Sequence, residues 1–117
     1  MSPNKRHPFI NMIKVFTDAK QLRGNNFSIG FISACGKYSA FKTIQSEGST
    51  QAENEAMKYA IECMGRMIDV TEFFTDSEAS QKAFNGYIFR EHFAPAKVNF
   101  VNREANIANT WLRASVN

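Results

Sequence analysis

The chain has 117 residues, 44% of them hydrophobic and 21% charged, with 3 Pro and 6 Gly, a profile that fits one folded domain and excludes a disordered polymer. A formal charge of +3 suits a polyanionic partner, but there is no basic block of the kind that makes a dedicated nucleic-acid tail. No apolar run approaches the roughly 18 residues of a membrane span, and the opening MSPNKRHPFINM lacks the apolar stretch of a secretory leader. The expectation is a cytoplasmic protein with no membrane partner.

Residues 1–12 read as a flexible basic tail and residues 13–117 as a single domain. Met12–Thr17 (MIKVFT) alternates and is rich in β formers, which predicts a first strand ending at Asp18. After a polar loop come Phe27–Cys35 and Tyr38–Ser46, separated by a Gly36-Lys37 turn, the pattern of a β-hairpin. The first three strands therefore form an antiparallel meander. Glu47–Thr50 (EGST) carries turn and cap chemistry and opens a helix over 51–68, with Ala56, Met57, Ala60, Ile61, Met64, Met67 and Ile68 at spacings of three and four.

Val70–Thr75 is a fourth strand, ending at Asp76. Ser77–Phe93 follows helical spacing through Ala79, Ala83, Phe84, Ile88 and Phe89, with Gly86 a point where it bends or ends. Lys97–Val101 is a fifth strand and Arg103–Val116 a last amphipathic helix. The order is β-β-β-α-β-α-β-α, an α/β fold. Cys35 and Cys63 lack any CxxC spacing and read as buried free thiols. Trp111, Phe84 and Phe89 read as core packing, and His7 and His92 offer no ligand spacing.

Three carboxylates stand out. Glu53 falls on the apolar stripe of the first helix, where an acid is costly unless it is paired, caps the helix or binds a metal. Asp18 and Asp76 each follow an apolar run ending in Phe-Thr. An Asx turn accounts for either one alone. Two such strand ends side by side, with Glu53 near them, would make a hard-oxygen pocket suited to Mg²⁺ or Mn²⁺ and not to zinc.

These segments together resemble the type 1 ribonuclease H family. Phe16-Thr17-Asp18 resembles its first-strand F-T-D-G, and Ser49–Met57 (STQAENEAM) resembles the T-N-N-x-A-E-x-x-A-L that opens its first helix. Thr75-Asp76-Ser77 matches T-D-S, and Arg103–Leu112 (REANIANTWL) is similar to the archaeal- and plant-like R-E-x-N-x-x-A-D-x-L-A. Asn109 stands for the family's fourth acid, and Ala19 replaces the Gly after the first Asp.

The resemblance implies a mixed five-stranded sheet with three antiparallel N-terminal strands and helices on both faces. It implies hydrolysis of the RNA strand of an RNA–DNA hybrid with two Mg²⁺ or Mn²⁺ ions. Asp18, Glu53, Asp76 and Asn109 would be the catalytic, metal-holding set. Asn25, Ser49, Thr50, Gln51 and Arg103 would contact substrate. The protein is expected to act as a monomer with no obligate protein partner. The alternative is a catalytically impaired nucleic-acid-binding module on the same fold.

Overall fold

The computed structural model describes residues 12–67, 69–85, 87–90 and 93–115. Residues 1–11, Ile68, Gly86 and His92 lie outside them, and with them the expectations for the tail, the two histidines, the end of the first helix and the glycine bend. Three strands come first: β1 (Ile13–Gln21), β2 (Asn26–Ser33) and β3 (Ser39–Gln45). They are followed by helix α1 (Ser49–Met64), β4 (Val70–Thr75), α2 (Glu78–Ala83), β5 (Tyr87–Arg90), β6 (Phe93–Phe100), a 3₁₀ turn at Arg103–Ala105, and α3 (Ile107–Ser115).

All five expected strands form one sheet in the order β3-β2-β1-β4-β6, with β5 added at the β6 edge. β1, β2 and β3 are antiparallel neighbours, while β4 runs parallel to both β1 and β6. This mixed order is that of a ribonuclease-H-like fold. The sixth strand corrects the expected sheet of five. The predicted helix over 77–93 is only Glu78–Ala83, because Asn85 adopts a positive φ of 52° and the chain then turns back as a β5–β6 hairpin. Pro95 is accommodated in β6 because the pairing with β4 starts only at Lys97. The last helix is also shorter than expected, its first turn being the 3₁₀ segment.

Alternation along the strands sorts the side chains between two layers. Val15, Phe31, Phe73 and Val98 pack with Met57, Ala60 and Met64 of α1, and Phe27 and Ile29 pack with Ala52 and Ala56. The run Ala52, Ala56, Ala60 at a spacing of four lets the helix backbone lie close on the sheet. α3 packs against β1 and β2, on the face opposite α1. There Gly30 leaves room for Trp111, whose ring also meets Phe41 edge-on at 5.9 Å. Trp111 and Phe84 are half-buried, and Phe84 packs against the main core cluster. Cys35 and Cys63 are free but exposed, correcting the expectation of burial: one sits in the hairpin turn and the other on the outer side of α1.

A Cβ at Gly30 would fall 2.9 Å from the Ala40 carbonyl oxygen, 2.9 Å from Phe41 Cβ and 3.0 Å from the Trp111 ring. Gly30→Ala is therefore expected to cost about 1–3 kcal/mol, the scale of overpacking, read as a lower urea midpoint. An unchanged midpoint would mean that Trp111 and β3 give way freely. No described helix is long and apolar enough to cross a membrane.

Candidate metal centre

The repeated Phe-Thr-Asp is resolved by strand register. β1 and β4 are parallel neighbours with Phe16 paired to Phe74, so the residues two further on, Asp18 and Asp76, reach the same height. The two Phe rings stack with centroids 4.6 Å apart. Thr17 Oγ1 donates to the Phe74 carbonyl at 3.0 Å and locks the pair of strands together. Thr75 Oγ1 accepts the Ser77 N–H at 3.1 Å and turns the chain out of β4 just after Asp76. In each copy the Phe and Thr do structural work that aims the Asp.

Asp18 is not at a strand end, as the sequence suggested, but inside β1, paired with Gly30 of β2. It lies where the β4 partner stops and β1 continues along β2 alone. Glu53 comes from the first turns of α1 and points inward, so the capping alternative fails. The helix is instead started at Gly48, with Gln51 Oε1 accepting the Glu47 N–H at 2.7 Å and the Ser46 hydroxyl at 3.0 Å.

One carboxylate oxygen from each of Asp18, Glu53 and Asp76 lies within 4.8 Å of the other two. Asp18 and Glu53 are buried, at 5% and 9% exposure. Burial, and then the charge of Asp76, push the Asp18 carboxyl up to about 6. Burial, followed by the charges of Asp18 and Asp76, pushes Glu53 up to about 9, so that it is protonated at neutral pH and hydrogen-bonded to Asp18. Arg103 opposes both shifts. Glu53 Oε1 is buried with no hydrogen-bond partner. Crowded acids, with one buried oxygen left bare, fit a divalent cation that ionises them and fills the vacant lone pairs. The donors are all carboxylate oxygens, the hard ligands that divalent cations such as Mg²⁺, Mn²⁺ or Ca²⁺ take.

Two of the acids, Asp18 and Glu53, open into a cleft of about 410 Å³ that is also lined by Ser49, Arg103, Asn109 and Arg113, among others. Two of the expected substrate contacts, Ser49 and Arg103, are thus at the site. Asn25 and Gln51 line a separate depression of about 350 Å³, and the Gln51 side chain is engaged in starting α1. Thr50 is exposed and borders neither. Counted from Asn106, the R-E-x-N-x-x-A-D pattern puts its acid at Thr110, one residue beyond Asn109. Thr110 is exposed, whereas Asn109 is half-buried and borders the cleft, so Asn109 holds the candidate position by geometry and not by motif register.

Two residues escaped the sequence reading. Arg113 reaches the cleft because it lies one turn beyond Asn109 on the same helical face. Asn106 is buried at 1% exposure and hydrogen-bonded to Asp76. The spacing of four to Asn109 was available for the first; the second is the Asn of the R-E-x-N motif, which marks the residue but not its bond to Asp76.

No family model and no curated protein matches the chain. Among solved structures it is similar to a foamy viral protease-reverse transcriptase in complex with dsDNA, with a TM-score of 0.54 and 16% identity. The match covers 62% of this chain and 52% of that one, about half its length. At that identity the likeness concerns the fold. Fold and site together define a ribonuclease-H-like domain with three converging acids able to hold a metal ion.

Proposed function

We propose that this domain is an endoribonuclease that cleaves the RNA strand of RNA–DNA hybrids with two divalent ions. The observation that carries this reading is the in-register pair Asp18 and Asp76 with Glu53 closing the triangle. The ions, when bound, supply an activated water and neutralise charge on the leaving oxygen. Asp18, buried beside the other two acids, would serve both ions; Glu53 and Asp76 would hold the leaving-group side, and Asn109 the nucleophile side. Arg103 and Arg113 bring fixed positive charge to the same cleft and suit the phosphodiester. Hydrogen bonding to a 2′-hydroxyl, for which Ser49 lies on the cleft wall, would distinguish RNA from DNA.

A second reading, a binding module with impaired catalysis, is favoured by one observation: the cleft presents an amide, Asn109, beside the acids Asp18 and Glu53. Incubation of a labelled RNA–DNA hybrid with the protein and Mg²⁺ or Mn²⁺ decides between them. Metal-dependent cleavage of the RNA strand supports the enzyme; binding without cleavage across metals and pH supports the module. Asn109→Asp is expected to lower the metal concentration for half-maximal cleavage roughly tenfold, the effect of about 1.4 kcal/mol of added attraction in a partly solvated cleft. An unchanged metal requirement would remove Asn109 from the ligand set.

A further inference from the structure

Asn106 is a side chain that the proposed mechanism leaves unused, although it is buried at 1% exposure and makes three hydrogen bonds. It precedes α3 and uses both ends of its amide. Nδ2 donates to the Thr17 carbonyl at 2.9 Å and to Asp76 Oδ2 at 3.1 Å, while Oδ1 accepts the Ala108 N–H at 3.1 Å. Each bond lands on a different element. The first is on the β1 backbone directly before Asp18, the second on the acid that follows β4, and the third on the opening turn of α3. The next turns of that helix bring Asn109 and Arg113 to the cleft.

Capping the helix accounts for Oδ1 alone. The two N–H bonds go to groups that no helix cap needs, and only an amide can supply two donors and an acceptor here. A carboxylate would set negative charge against both the Thr17 carbonyl and Asp76, and a hydroxyl on a one-carbon stem is too short to bridge all three.

We infer that Asn106 is the positioning residue of the acidic centre: it commits Asp76 Oδ2 to the amide and keeps the other oxygen available to a divalent cation. The same side chain fixes the distance between the Asp18 strand and the helix carrying Asn109. The inference rests on reading the three acids as a metal centre. It goes further in assigning part of the metal affinity to a residue that contacts no ion. Without the amide, Asp76 is free to rotate away from its two like-charged neighbours, and the cation would have to reassemble the site on binding.

The test is Mn²⁺ titration of the full chain, with free Mn²⁺ followed by electron paramagnetic resonance, on wild type, Asn106→Ser and Asn106→Asp. Both variants keep an oxygen suited to capping α3. Both are expected to bind Mn²⁺ about 10–100-fold more weakly, the cost of losing a partner that orients a metal ligand, with the far-ultraviolet circular dichroism of the wild type. In an Asp76→Asn background, Asn106→Ser should cause much less further loss, because the amide acts through Asp76. Wild-type Mn²⁺ affinity in Asn106→Ser, or an undiminished loss in the Asp76→Asn background, overturns the inference. A wild-type chain that fails to bind Mn²⁺ overturns the metal reading itself, and the inference with it.

Discussion

Asp18→Asn is expected to abolish hydrolysis of an RNA–DNA hybrid while making the metal-free protein more resistant to heat at pH 8. The two effects have one cause. Asp18 is buried at 5% exposure beside two other carboxyls, and its charge is disfavoured by burial and by Asp76. Replacing it with an amide of the same shape removes that charge. It keeps an oxygen to accept from the Ala19 N–H and from Glu53, both of which hydrogen-bond to the carboxylate. The melting temperature of the apo protein should rise by several degrees. Activity should fall by at least about 10³-fold, as when a charge-stabilising group is taken from a preorganised site. A variant that is inactive and less stable than the wild type would point to a folding defect, and one that retains activity would remove Asp18 from the site.

How far the sequence foretold this site depends on the range of the interactions involved. The acids were readable because each breaks a local pattern: Glu53 interrupts an apolar stripe, and the two Asps follow matching Phe-Thr pairs. The parallel register that turns those pairs into one site is a tertiary fact, but the repeat itself hinted at it. The β5–β6 hairpin was hidden because Ala79, Ala83, Phe84 and Ile88 keep helical spacing across the point where the chain reverses. Asn85 in the left-handed region marks that reversal, and Asn before Gly is a known stop signal that apolar periodicity overrode. Asn106 stands in the R-E-x-N motif, but its part in the acidic centre could not be read from its own segment. Its local role as a cap is ordinary, and its decisive bond is to an acid 30 residues away.

The same crowding that suits the site to a cation should make the metal-free protein lose stability as pH rises. Asp18 is raised from an ordinary 3.8 to about 6, and Glu53 from 4.5 to about 9. Between the ordinary and the raised value of each group, the folded protein binds more protons than the unfolded chain, so unfolding free energy falls with increasing pH. The stability is fully present below about pH 4, declines through Asp18's value near 6, and continues to fall until Glu53 ionises near 9. A divalent cation binds the ionised acids and reverses the loss, so Mn²⁺ should raise the melting temperature little at pH 5 and strongly at pH 8. At a concentration 100 times its dissociation constant an ion contributes about 2.7 kcal/mol, a shift on the order of 10 °C for a domain of this size. Glu53→Gln removes the group that titrates highest. Its apo stability should change little with pH above about 6, and its response to Mn²⁺ at pH 8 should shrink. Differential scanning fluorimetry across pH 4–9, with and without Mn²⁺, reads all of these shifts. A melting temperature independent of pH, or an Mn²⁺ shift equal at pH 5 and pH 8, would show that Asp18 and Glu53 do not hold their protons in the folded protein as their burial requires.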